Sequence, residues 1–179
     1  TVYQWMVQSF RRLEAMSSGS AEAQAYGEAL RAEIYTVIRN TDPGPAFKRR
    51  LREAMAREFG PGFKGGVFIR SDTNVEDLPG FTGAGLNLTL FNVAGFERIV
   101  KGILEVWASP YTARAWGWRQ SHMKGPEHVY PAVLLLKTVP SDVSGVMITQ
   151  DVDTGDGRWL TVAVNEGLTP YPLPRRWRP

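Results

Sequence analysis

A chain of 179 residues that is 43% hydrophobic and 22% charged has the size of one ordinary domain, or of two small lobes, and can bury a real core. Its formal net charge of +3 is spread out, apart from Lys48-Arg49-Arg50 with Arg52 and Arg175-Arg176 with Arg178, which argues against a nucleic-acid-binding face. Without cysteine it forms no disulfide and no thiolate metal site, a composition that fits a reducing compartment.

The first sixty residues carry helical periodicity. Val2, Met6, Phe10, Leu13 and Met16 fall on one stripe, and Ser17-Ser18-Gly19-Ser20 breaks it. Ser20 is placed to cap a second helix, with Glu22 in its first turn and Tyr26, Leu30, Ile34 and Val37 as its buried stripe. Asp42 before Pro43 predicts the cap and first position of a third helix. That helix buries Phe47, Leu51, Met55 and Phe59, and Gly60-Pro61-Gly62 stops it. The basic group at 48–52 is expected to be its solvated face.

At Gly66 the texture changes. Val67-Phe68-Ile69 predicts a short buried strand that ends on Arg70, and Leu86, Leu88 and Leu90 alternate with Asn87 and Thr89 as in a half-exposed strand. Phe96, Ile99, Ile103 and Trp107 return to helical period. Ser109-Pro110 predicts the cap and first residue of a further helix carrying Tyr111, Ala115 and Trp118. Three strand-like runs follow at 130–139, 143–149 and 159–164, with turn signals at Pro140-Ser141-Asp142 and Asp153-Thr154-Gly155-Asp156-Gly157. Helices followed by a mixed unit that closes in an antiparallel meander predict an α+β chain without internal repeats. From 168 onward, four prolines and no periodicity predict no packed element.

The chemistry concentrates between Gly66 and Leu86. An arginine at the end of a rigid strand offers its guanidinium to an anion. Glycines at 80, 83 and 85 let backbone N–H groups approach that anion closely. Two readings fit this spacing: a nucleotide phosphate site, or a turn-rich loop with a surface salt bridge. Elsewhere the plain reading prevails. His122 and His128, the only histidines, lack a carboxylate or hydroxyl at relay spacing and read as loop histidines. Glu76 and Asp77 diverge on extended backbone and suit a turn or an arginine pair better than a metal. Asp151, Asp153 and Asp156 around Gly155 resemble a calcium loop but lack its bidentate glutamate, which leaves a hairpin loop. Trp107, Trp116 and Trp118 lie in helical period and read as packing residues, not a base-stacking platform. No apolar run is long enough to span a bilayer, and Thr1-Val2-Tyr3-Gln4-Trp5 has no leader pattern, so a cytoplasmic protein without membrane partners is expected. For the same reason Asn87-Leu88-Thr89 reads as a chance match to a glycosylation acceptor.

Ile69-Arg70-Ser71, Glu76-Asp77-Leu78-Pro79-Gly80 and Phe81-Thr82-Gly83-Ala84-Gly85 resemble the nucleotide-binding domain of the phosphoenolpyruvate synthase and pyruvate phosphate dikinase family. Trp107-Ala108-Ser109, Tyr111-Thr112-Ala113-Arg114-Ala115, Ser144-Gly145-Val146-Met147-Ile148-Thr149 and Asp153-Thr154-Gly155 extend the resemblance in the family's order, from about residue 65 to 167. The resemblance implies an incomplete ATP-grasp-like nucleotide-binding unit at 63–167, a helical segment at 1–62 before it and an irregular Pro/Arg-rich tail at 168–179. It implies ATP with Mg2+ as cofactors and Arg70 as the catalytic group on the phosphates. Gly80, Thr82, Gly83, Ala84 and Gly85 would form a mobile loop over them, and Leu136, Lys137, Thr138 and Val139 would lie along the adenine.

In that family the phosphoryl group passes from ATP to a histidine on a separate domain, then to pyruvate, a glucan or a drug. A glucan-dikinase-like or antibiotic-phosphotransferase-like module therefore shares these implications, and a non-catalytic nucleotide-binding or interaction module is the reading from another class. Several departures bear on activity. The family's glycine- and lysine-rich segment has no counterpart before Gly65, and no acidic strand matches its magnesium carboxylates, so no metal ligand is assigned. After Gly167-Leu168 the chain runs into Thr169-Pro170, and the phosphohistidine and substrate domains that the resemblance implies are expected as missing partners. One arginine stabilises only part of the charge on a transferring phosphoryl group, so this chain alone is expected to be inactive.

Overall fold

A computed structural model describes residues 2–74, 77–78, 81–82, 88–122 and 129–168. Helix α1 (Val2–Glu14) buries Phe10, and α2 (Ala21–Asn40) meets it with Leu30 and Ile34. Ser20 opens α2 as predicted, its Oγ accepting the Ala23 N–H at 3.1 Å. Helix α3 (Pro45–Phe59) starts later than Asp42-Pro43 predicts. Gly44 stands at φ 87°, outside the helical region, so Pro45 and not Pro43 takes the first position. Asp42 closes the preceding turn instead. Its Oδ1 accepts the Gly44 N–H at 2.9 Å and pairs with Lys48 Nζ at 2.9 Å. These contacts, the backbone bond first, hold its carboxyl below the usual carboxylate range.

The chain forms two compact units that divide after Leu136. In the first, strands lie in the order β4-β1-β5, with β1 at Val67–Thr73, β4 at Thr89–Val93 and β5 at Pro131–Lys137. A small hairpin of β2 (Asp77–Leu78) and β3 (Phe81–Thr82) follows β1. β1 and β4 are antiparallel, with Ile69 opposite Leu90 and Arg70 opposite Thr89, and the register shifts between Val67 and Ile69. Helix α4 (Phe96–Ala108) packs Ile99, Ile103 and Val106 on Val67 and Ile69, and Phe47, Leu51 and Met55 of α3 close the same cluster. A second cluster joins Phe10, Leu30 and Ile34 to Tyr111 and Trp116.

Several further strand and helix limits differ from expectation: Leu88 lies outside the strand that begins at Thr89, and the last strand runs Thr161–Glu166 and not 159–164. β1 does not end at Arg70 but runs on to Thr73, because Thr73 is buried and extends the inward alternation of Val67 and Ile69. Ser109-Pro110 forms a 3-10 turn, Ser109–Tyr111, not a helix start. Thr112 caps α5 (Ala113–His122) instead, its Oγ1 accepting the Ala115 N–H at 3.4 Å. β5 joins β1 and so leaves the expected three-strand meander, since its alternation places Val133 and Leu135 in the α4 cluster.

In the second unit, β6 (Val143–Ile148) and β7 (Thr161–Glu166) form an antiparallel hairpin from Val143↔Glu166 to Ile148↔Thr161. The hairpin loop expected around Asp151 closes on its own backbone. Asp151 Oδ1 accepts the N–H groups of Asp153 and Thr154, and Gly155, at φ 72°, donates to the Asp151 carbonyl at 2.8 Å. Among the described residues no helix is long and apolar enough to cross a membrane.

Candidate functional site

Alternation along the sheet gives its two faces different jobs. Ile69 and Leu90 point at α4, close enough that a Cβ on Gly102 would stand 2.5 Å from Ile69 Cδ1 and 3.0 Å from Leu90 Cδ1. Phe68 and Arg70, one residue out of phase, therefore stand on the opposite, open face. Thr89 and Phe91 of β4 share that face, and Phe68 meets Phe91 edge-on, with ring centroids 5.4 Å apart at 83°. On β5 the residues out of phase with Val133 and Leu135 are Leu134 and Leu136, both exposed. The open face is thus an apolar ledge that carries the Arg70 guanidinium and, two residues further along β1, the exposed Asp72 carboxylate.

Arg70 is exposed, and among the described residues its side chain makes no ion pair or hydrogen bond. A strand paired on both sides limits its backbone, so the charge is held in place while its donors stay available. Such an arrangement suits a ligand with a flat apolar part and an anionic part: the ledge covers one, the guanidinium pairs with the other. An adenine nucleotide has that composition, and these residues fit it.

The other expected site residues are distributed as follows. Thr82 pairs with Asp77 across the β2-β3 hairpin. Gly80, Gly83, Ala84 and Gly85 lie outside the described residues, as do Glu76 and His128. Leu136 and Lys137 end β5, and Thr138 and Val139 follow it. Thr138 Oγ1 is the buried side-chain polar atom left without a hydrogen-bond partner among the described residues, which marks it as a group with unused capacity. His122 falls in the last turn of α5. No three histidine or acidic side chains gather into a metal site among the described residues.

Residues 10–169 match the family of the pyruvate phosphate dikinase AMP/ATP-binding domain. The chain belongs to that family. Over 157 residues it is 31% identical to a rifampicin phosphotransferase from a Streptomyces species, covering 88% of this chain and 18% of that protein. It is 39% identical over 105 residues to the phosphoenolpyruvate synthase of Aeropyrum pernix, covering 59% of this chain and 13% of that one. A rifampicin phosphotransferase from Bacillus subtilis is 32% identical over 100 residues, 56% of this chain and 12% of the other. The chain therefore spans less than a fifth of the length of these relatives. As a member of the dikinase family it is an ATP-binding module, and the named relatives are much larger proteins.

Two parts of this region were not legible as site residues. Phe68 read only as an apolar strand position and Phe91 was not singled out, although counting alternate residues from Arg70 would have placed Phe68 beside it. Ser109 read as a helix cap, and nothing local to it signals the long-range bond that it makes with Leu88.

Proposed function

We propose that the open face of the β4-β1-β5 sheet holds ATP for phosphoryl transfer, with Arg70 on the phosphates. The observation that carries the reading is the available guanidinium of Arg70 on a rigid strand beside the Phe68–Phe91 ledge. ATP supplies the phosphoryl group. Arg70 offsets the charge that develops on it, and backbone N–H groups of Gly80, Thr82, Gly83, Ala84 and Gly85 donate to the phosphate oxygens. Backbone groups of Leu136, Lys137, Thr138 and Val139 read the adenine edge, and the Thr138 hydroxyl, without a partner among the described residues, supports a ligand contact in that run.

The finer reading is an ATP-grasp-like unit at 63–167, with 1–62 as a helical segment and 168–179 as a tail. In the parent protein the acceptor is a histidine on another domain, and Mg2+ accompanies the nucleotide; no described residue is assigned to the metal. A rifampicin-type or pyruvate-type acceptor is equally compatible with this module. By itself the chain binds nucleotide without turning it over, because Arg70 alone supplies part of the stabilisation that transfer needs. Calorimetric titration with ATP and magnesium, beside the same titration with adenosine, tests the reading. ATP is expected to bind more tightly than adenosine, and equal affinities would remove the phosphate site.

A further inference from the structure

Ser109 is 2% exposed, and its hydroxyl both donates and accepts a hydrogen bond. It donates to the Val106 carbonyl at 2.8 Å, within the last turn of α4, and accepts the Leu88 N–H at 3.3 Å across 21 residues of chain. A hydroxyl has one proton to give and lone pairs to receive, so a single side chain links the end of α4 to the residue that leads into β4. The corner that carries Ser109 is itself anchored. Thr112 donates to the Ser109 carbonyl from its N–H at 3.1 Å and from Oγ1 at 3.0 Å, and Arg31 Nη1 donates to the Tyr111 carbonyl at 2.9 Å. Arg31 is in turn held by Glu28, whose hydrogen bond also raises the arginine's pKa.

Leu88 is next to Thr89, the residue directly across from Arg70 in the β1-β4 ladder. It is also three residues beyond Gly85, the last of the glycines assigned to the phosphates. On the other side of the same stretch, Asn74 Oδ1 accepts the Tyr130 N–H at 2.8 Å, just past the end of β1 and just before β5. A one-residue slip of β4 would turn Thr89 to the α4 face and change what stands opposite Arg70.

We propose that Ser109 is a positioning residue for nucleotide binding: its hydroxyl holds the Leu88 amide and thereby fixes the strand opposite Arg70. This rests on the assignment of Arg70 to the phosphates. Ala at 109 removes the acceptor and leaves the Leu88 N–H unpaired, while the carbon framework of the corner stays.

The test measures two quantities on the whole chain, parent against Ser109→Ala. Hydrogen exchange at the Leu88 amide is expected to accelerate at least about tenfold, the scale of one lost hydrogen bond. ATP affinity is expected to fall by about tenfold while adenosine affinity changes far less. A purely structural role is distinguished by Ile34→Val, which trims the helical cluster: it is expected to lower the melting temperature and leave the ATP-to-adenosine ratio as in the parent. Should Ser109→Ala not fold, Ser109→Cys keeps nearly the same volume with a weaker acceptor and is expected to shift both readouts in the same directions, by less. Unchanged Leu88 exchange overturns the clamp. Accelerated exchange with an unchanged ATP-to-adenosine ratio overturns its role in binding. A parent chain that binds no ATP overturns the nucleotide assignment itself, and with it the binding role of Ser109, whereas the exchange measurement still decides the clamp.

Discussion

Arg70 owes its place to alternation and not to a strand end. Three further residues of β1 follow it, so its backbone is fixed on both sides while its side chain stands on the open face. Replacing it with Ala should weaken ATP by about 1.5–3 kcal/mol, the scale of a hydrogen bond to a charged group, and leave adenosine nearly unchanged. Parallel titrations of the two ligands check this, and equal losses for both would place the arginine away from the phosphates. The motif around Arg70 was legible because it is local: an apolar run, a cation and glycines within twenty residues. Ser109 was not, because the value of a buried hydroxyl depends on which amide meets it, and Leu88 arrives from a different element. Thr138 was assigned to the adenine with its neighbours at 136–139, but nothing in its sequence neighbourhood tells that its oxygen is buried without a partner among the described residues.

Among the elements, helix stripes were readable and strand partners were not. Leu30, Ile34 and Phe10 recur at a period that any amphipathic helix must show, whereas β5 could pair with β1 or β6 on local pattern alone. Packing of Val133 and Leu135 under α4 settled that choice. The closeness of α4 to the sheet can be tested with two glycines whose substitutions carry opposite signs. Gly102→Ala places a Cβ 2.5 Å from Ile69 Cδ1 and 3.0 Å from Leu90 Cδ1, so both side-chain ends must shift, and overpacking of about 1–3 kcal/mol is expected to exceed the helix-propensity gain of about 1 kcal/mol. Gly117→Ala in α5 meets no atom of the described residues within 4 Å, so the gain dominates and stability should rise by about 0.5–1 kcal/mol. Denaturant midpoints of the two variants should move in opposite directions. At the start of α3, Asp42 adds a pH dependence. A carboxyl whose folded pKa lies below its unfolded value contributes stability while ionised, and that contribution disappears as pH falls through the folded pKa. Asp42→Ala should therefore melt below the parent at neutral pH, and the gap should shrink as the pH falls below the ordinary carboxylate range. A gap that persists in acid would mean that the Gly44 and Lys48 contacts do not carry it.

At the scale of the whole chain, the two units differ in how they keep apolar surface from water. In the first, α4 and α3 cover one side of the sheet, and Val67, Ile69 and Val106 are fully buried. The second offers a two-stranded hairpin in which Val143, Val146, Met147, Ile148 and Val164 are all exposed, Met147 at 64%. Two strands alone are marginal in water, because their ladder hydrogen bonds trade nearly evenly with water and little side-chain burial offsets the ordering of the backbone. Gly145 tightens the pairing: a Cβ there would lie 2.4 Å from the Ala163 carbonyl oxygen, so the two backbones approach more closely than any other residue permits. That closeness gives register without adding burial. Native-state hydrogen exchange should therefore show the slowest amides in β1 and α4 and much faster exchange throughout β6 and β7, by orders of magnitude under conditions where the whole chain stays folded. The measurement is best repeated over a range of protein concentrations. Fast exchange at every concentration is the expected result. Protection of β6 and β7 equal to that of α4 in dilute solution would overturn the prediction, and would mean that the apolar side chains of this hairpin are covered when the chain is free in water.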